Sequence, residues 1–135
     1  MADNTFMLEI VTPEDILFKD EIQFLVAPGA EGELGVLKSH APIVASLKIG
    51  VLKYKDPSGT SKKMALSGGF LEVIDNTARV LAETAEHGND IDVLRAKEAK
   101  DRAEKRLAQQ SADINIARAQ LALMRALARI KATEI

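Results

Sequence analysis

From Phe6 to Leu81 the apolar positions come in short runs broken by turn residues, whereas the stretch from Asn89 to Ile135 is alanine-rich and contains neither glycine nor proline. Phe6-Met7-Leu8-Glu9-Ile10-Val11 reads as a strand stopped by Thr12-Pro13-Glu14-Asp15. Ile16-Leu17-Phe18 reads as a second, and Ile22-Gln23-Phe24-Leu25-Val26 as a third that ends at Pro28-Gly29. Val51 to Tyr54 and Lys63 to Leu66 flank Asp56-Pro57-Ser58-Gly59, which predicts a hairpin. Phe70 to Ile74 and Thr77 to Leu81 flank Asp75-Asn76, a two-residue turn that tolerates positive φ. Short strands at this spacing predict a compact antiparallel sandwich or barrel. No helical period of any length precedes Gly88.

The tail follows different rules. Asp90 is placed to cap a helix beginning at Ile91, with Asp92 complementing the dipole in its first turn. Glu98 with Arg102 and Asp101 with Lys105 are favourable i,i+4 pairs. The run weakens at Gln109-Gln110-Ser111, where Ser111 or Asp113 is placed to cap a second helix ending near Lys131. Each helix of ~20 residues would be about 30 Å long, and the short connection favours an antiparallel hairpin. Its apolar positions are mostly alanine, so the contact is close but shallow. The expected fold class is therefore α+β: an N-terminal antiparallel β-sandwich over residues 1–87, followed by a C-terminal two-helix antiparallel hairpin over residues 88–135.

Composition sharpens this division. The chain has 135 residues, 47% of them hydrophobic, and a formal net charge of −2. All five aromatics (Phe6, Phe18, Phe24, Tyr54, Phe70) lie in the first part. Met1 to Gly88 carries 8 Lys and Arg against 13 Asp and Glu, while Asn89 to Ile135 carries 10 against 7. The tail thus favours anionic partners, and the front half is not built for nucleic acid. With no cysteine, disulfides and thiolate metal sites are excluded. No apolar run approaches the ~18 residues of a transmembrane helix, and Met1-Ala2-Asp3-Asn4 lacks a charged-then-apolar signal. The expectation is a soluble chain.

Few residues suggest catalysis. His40 and His87, the only histidines, lie outside any metal-ligand spacing. Ala65-Leu66-Ser67-Gly68-Gly69 superficially resembles a nucleophile elbow, but that motif requires a preceding glycine and a following helix, so a tight glycine turn is the better reading. Glu31-Gly32-Glu33-Leu34-Gly35 lacks the Gly-Lys-Ser/Thr of a phosphate loop. Nothing assembles a nucleophile, a base and an oxyanion donor.

Arginine spacing is more informative. Six of the seven arginines lie in the tail, with Arg95, Arg102 and Arg106 at i, i+7 and i+11, and Arg118, Arg125 and Arg129 repeating those offsets. At about 100° per residue these offsets return to within roughly 20° of one direction, giving one stripe per helix. A charged helix face is usually only solvated, and Asp92 and Glu98 fit that reading for Arg95 and Arg102. Arg118, Arg125 and Arg129 have no carboxylate between Asp113 and Glu134. Guanidinium forks suit phosphate and carboxylate oxygens, so a polyphosphate or an acidic protein surface would supply the missing charge.

Three segments carry a family resemblance. Gly32-Glu33-Leu34-Gly35-Val36-Leu37 with His40 and Pro42 is similar to the signature loop of the epsilon subunit of bacterial F-type ATP synthases. Ser67-Gly68-Gly69-Phe70-Leu71-Glu72-Val73 looks like that family's second signature, and Ile91-Asp92-Val93-Leu94-Arg95-Ala96 matches its I/L-D-x-x-R-A motif. Lys38 stands where the family often has proline. The likeness runs from Phe6 to near Ile130, with the motifs in order.

The resemblance implies a non-catalytic rotor-stalk subunit of a proton- or sodium-translocating complex, peripheral on the cytoplasmic face of the bacterial cell membrane. Its sandwich would meet the gamma subunit and the membrane ring of small subunits, with Glu33 and His40 near those contacts. Its hairpin would regulate ATP hydrolysis, either folded on the sandwich with ATP bound or extended toward an acidic segment of the catalytic beta subunit. ATP would be a regulatory ligand, with no catalytic cofactor and no metal. Glu86, Ile91, Asp92 and Ala96 would surround base and ribose, and Arg95, Arg102, Arg125 and Arg129 would meet the phosphates. The alternative is a free-standing module whose tail docks on nucleic acid or an acidic protein, but this tail has no aromatic for base stacking.

Overall fold

The computed structural model describes residues 4–109 and 115–134. Eight strands come first: β1 (Phe6–Val11), β2 (Ile16–Ile22), β3 (Phe24–Gly29), β4 (Gly32–Val36), β5 (Ile43–Lys55), β6 (Ser61–Ile74), β7 (Thr77–Ala82) and β8 (Ala85–His87). A 3-10 turn (Gly88–Asp90) leads to helices α1 (Val93–Gln109) and α2 (Ile116–Thr133). Strand order is β2-β1-β7-β6-β5-β3-β4, with β8 also pairing β6. The pairings are antiparallel except β1 with β7, which is parallel.

Two long strands join the layers of the sandwich. β5 has 13 residues and β6 has 14, well beyond the short runs legible in the sequence. β6 pairs β8 through Met64–Leu66 and then passes to β7 through Gly69–Ile74. Between those partners, Gly68 and Gly69 have φ of 101° and 145°. The Ala65–Gly69 stretch, expected to be a tight turn, is therefore interior strand. Its glycines let β6 bend from one layer to the other without breaking its ladder to β5. Gly32–Val36, expected as loop, is likewise a strand, at the sheet edge.

Both expected hairpin turns form. Asp75 and Asn76 take φ of 50° and 59°, which suits the right-handed strand twist. Asp56 Oδ1 accepts from the N–H groups of Ser58 and Thr60 at 3.0 and 2.9 Å, closing the β5–β6 turn. The inward residues alternate as the pleat requires, and Leu8, Ile10, Leu25, Leu52, Met64, Leu71 and Val80 are completely buried. Each contributes roughly 1.5–3 kcal/mol of burial.

The helices start later than expected. Asp92, not Asp90, caps α1: its Oδ1 accepts the Arg95 N–H at 3.1 Å and its carbonyl accepts the Ala96 N–H at 3.0 Å. Asn115 caps α2, its Oδ1 accepting the Arg118 N–H at 3.1 Å. Ser111 and Asp113, the expected caps, lie outside the described residues. α1 packs on α2, and α2 in turn lies on β5 and β6. The buried residues of the hairpin are all alanines: Ala96 and Ala103 on α1, and Ala119, Ala126, Ala128 and Ala132 on α2. A methyl group buries about as much as one methylene, roughly 0.8 kcal/mol, so this seam is far weaker than the sandwich core.

Candidate functional site

Where the hairpin leaves the sandwich, residues from both domains meet. Glu86 comes from β8, Asp90 from the 3-10 turn, Ile91 and Asp92 from the link to α1, Arg95 and Ala96 from the first turn of α1, and Arg129 from α2. These seven line one pocket of about 180 Å³. The link positions them because Ile91 N–H bonds back to the Gly88 carbonyl at 3.3 Å and Asp92 then caps α1. The first turn of α1, with the positive end of its dipole, therefore lies at the pocket, which Arg95 and Ala96 line. Ala96, 3% exposed, leaves room for a close approach between the helices.

Two cations and three carboxylates share the space. Arg129 Nε donates to Glu86 Oε1 at 2.7 Å, an ion pair that ties α2 to the sandwich. Arg129 was expected to lack a counter-charge because its own helix offers none; the partner lies 43 residues away. Asp92 was expected to balance the Arg95 side chain, but it takes the Arg95 backbone N–H instead. Among the described residues, the Arg95 guanidinium has no ion-pair partner. The i,i+4 pairs expected on α1 also differ, for Lys100 meets Glu104 at 3.6 Å while Glu98–Arg102 and Asp101–Lys105 do not form.

Six of the eight residues expected around a nucleotide thus line this pocket: Glu86, Ile91, Asp92, Arg95, Ala96 and Arg129. Arg102 and Arg125 do not. They are exposed, Arg102 two turns beyond Arg95 on α1 and Arg125 one turn before Arg129 on α2. Asp90 is an added lining residue that the sequence suggested only as a cap. Arg106 and Arg118 are exposed farther out.

Glu33 and His40 lie in a different region. Glu33 is exposed on edge strand β4 and borders a groove of about 550 Å³ with Glu31, Leu34, Ile43 and Val44. His40 closes a turn through its N–H to the Leu37 carbonyl at 3.2 Å, and its Nδ1 lies 2.6 Å from the Ala41 carbonyl. Lys38 occupies the second position of that turn, where proline is favoured only because its φ is preset. The left-handed residue is Ser39, at φ 62°, and its N–H bonds Asn76 Oδ1 at 2.8 Å. Among the described residues no cluster of His, Cys, Asp and Glu could hold a metal ion, and no helix is long and apolar enough to cross a membrane.

The fold and pocket define a class: a β-sandwich protein with a docked, arginine-bearing helical hairpin. Residues 5–88 match the family model for the beta-sandwich domain of the ATP synthase delta/epsilon chain, and residues 89–134 match that for its long alpha-helix domain. The ATP synthase epsilon chain of Syntrophomonas wolfei is 69% identical over 134 residues, covering 99% of this chain and 98% of that one. That of Desulforamulus reducens is 52% identical over 130 residues, covering 96% and 98%. A chain in the mitochondrial ATP synthase of Euglena gracilis (OSCP/F1/c-ring) shares the fold at a TM-score of 0.84 and 21% identity, covering 96% of this chain and 82% of that one. This chain belongs to the epsilon-chain family of bacterial F-type ATP synthases, whose members are non-catalytic stalk subunits.

Proposed function

We propose that this chain couples the central stalk to the membrane ring and regulates ATP hydrolysis through an ATP-sensitive hairpin. The observation that carries the reading is that Glu86, Arg95 and Arg129, from β8, α1 and α2, share one pocket. Such a pocket exists only while the hairpin is docked. Its charges suit the two ends of a nucleoside triphosphate. Carboxylates at Glu86, Asp90 and Asp92 accept hydrogen bonds from amino and hydroxyl groups of base and ribose. Arg95, Arg129 and the α1 N-terminus attract phosphate. At about 180 Å³ the pocket is smaller than the ~300–1,000 Å³ of typical ligand sites, so it would enclose only part of the nucleotide. Arg102 and Arg125 continue the cationic track along the helices for the rest.

The alanine seam supplies the second requirement. A hairpin held mainly by methyl contacts, one half-exposed ion pair and a hydrogen bond from Lys63 to the Glu134 carbonyl is not many kcal/mol more stable docked than free. A ligand shifts such an equilibrium by its differential affinity, and ATP contacts both helices only in the docked form. Extended, the same arginines would meet an acidic segment of the catalytic beta subunit. The sandwich would remain on gamma and the ring, peripheral at the cytoplasmic face of the cell membrane and coupled to proton or sodium flow. Exposed Glu33 and the turn closed by His40 would supply contacts there.

Calorimetry with ATP tests the site. Wild type binds, and Arg95→Ala loses a charged hydrogen bond worth about 1.5–3 kcal/mol, or very roughly tenfold to a hundredfold in affinity. Equal affinity of the two proteins would exclude Arg95 from the site, and no binding by wild type would remove ATP from the mechanism.

A further inference from the structure

The C-terminal turn of α2 meets the sandwich at a second place, outside the pocket of Glu86 and Arg129. Gly88 approaches it so closely that a Cβ there would overlap the carbonyl oxygen of Ala132. The Gly88 φ lies outside the left-handed region, so its own backbone does not require glycine. The contact with α2 does. Beside it, Lys63 Nζ donates to the backbone carbonyl of Glu134 at 2.9 Å. Lys63 also stands directly across from Lys53 in the β5–β6 register. Like charges in that position are unfavourable by themselves. The carbonyl end of α2, the negative pole of the helix, is set against this side of the sheet.

We propose that Gly88 and Lys63 form a latch for the last turn of α2 that sets the docked fraction of the hairpin independently of nucleotide. The idea rests on the reading above in one respect, that the hairpin leaves the sandwich. In the docked chain, a side chain at position 88 forces α2 away from the link to α1. With the hairpin gone, the two closest contacts of that Cβ, both on Ala132, disappear, and the next is the Lys63 carbonyl at 3.3 Å, which a shift of a few tenths of an ångström relieves. The substitution is therefore selective for one state. Neither residue lines the nucleotide pocket. Because the pocket needs both helices, apparent ATP affinity falls in proportion to the docked fraction.

The test uses the whole chain, which has no native cysteine, labelled after Glu14→Cys and Leu127→Cys with a donor and an acceptor fluorophore. Distances are read without nucleotide and across an ATP titration. Gly88→Ala lengthens the nucleotide-free distance and raises the ATP midpoint about tenfold, the change expected if the docked fraction drops tenfold. Lys63→Met acts in the same direction by less, since it removes one hydrogen bond to the end of α2 without forcing anything into the contact. Unchanged distances in both variants overturn the latch. If Gly88→Ala abolishes the thermal unfolding transition of the sandwich, Lys63→Met decides alone, and an unchanged distance there overturns it. A wild type blind to ATP, with Gly88→Ala still lengthening the distance, refutes nucleotide sensing and supports the latch.

Discussion

Arg129 on α2 and Glu86 on β8 form an ion pair of 2.7 Å that joins the helical hairpin to the sandwich. Both side chains remain more than a third exposed, at 42% and 36%, so the pair is worth no more than about 1 kcal/mol by itself. It holds the hairpin lightly, and it holds a guanidinium that the proposed nucleotide site also needs.

That double use separates two arginines one turn apart. Arg129→Ala removes the link to Glu86 and a phosphate ligand together, so docking weakens both with and without ATP. Arg125 has no ion-pair partner among the described residues, and Arg125→Ala should leave the nucleotide-free hairpin unchanged while weakening ATP binding. Hydrogen exchange of α2 amides, with and without ATP, distinguishes the two. Identical behaviour of the variants without nucleotide would deny Arg129 a docking role.

The sandwich should fold without the hairpin. Its buried cluster runs from Phe6 to Ala82 and includes no helical residue, although α2 covers one outer face. A chain ending at His87 is expected to keep a cooperative melt and β-type circular dichroism, and to be retained by the gamma subunit in a pull-down. A disordered fragment would make the hairpin part of the folding unit.

Of the eight glycines, Gly69 leaves the least space for a side chain. At φ 145°, a Cβ there would overlap the Leu81 carbonyl across the β6–β7 pair, and both sides of that clash are sheet backbone. Gly69→Ala is expected to cost at least about 2 kcal/mol, from strain and the broken ladder, read as a lower denaturant midpoint. A neutral result would mean that β6 bends elsewhere.

Asp56 makes the β5–β6 turn sensitive to acid. The Ser58 hydroxyl, and then the Thr60 N–H, hold its carboxyl below the usual value of 3.8. A depressed carboxyl favours the folded turn when ionised. That contribution is complete above pH 3.8 and is lost as pH falls through the lowered value. The difference in melting temperature between wild type and Asp56→Ala should therefore be present at neutral pH and shrink as the pH falls below 3.8. A difference independent of pH would locate the effect in packing.

Much of this was legible in one dimension because it depends on local chemistry. Turn residues at Asp56–Gly59 and Asp75–Asn76 mark hairpins wherever they occur, and the lack of glycine and proline after Gly88 permits long helices. The I-D-x-x-R-A segment announced its helix start, although which aspartate caps it was misplaced by two residues. A cap depends on where the chain enters the helix, and here a 3-10 turn uses up Gly88–Asp90 first. The long strands were hidden for a similar reason. Gly68-Gly69 reads as a stop until neighbours on both sides of β6 are known.

The sequence by itself determined the two domains, the stripe of arginines and the weak alanine seam, since composition and periodicity act on neighbouring residues. Only the tertiary structure decided which arginine of the stripes is paired, that Arg102 and Arg125 stand outside the pocket, and that Gly88, which opens the 3-10 turn, is also a close contact for α2. Those facts depend on chain segments 43 or more residues apart being brought within a few ångströms, and no local pattern encodes that approach.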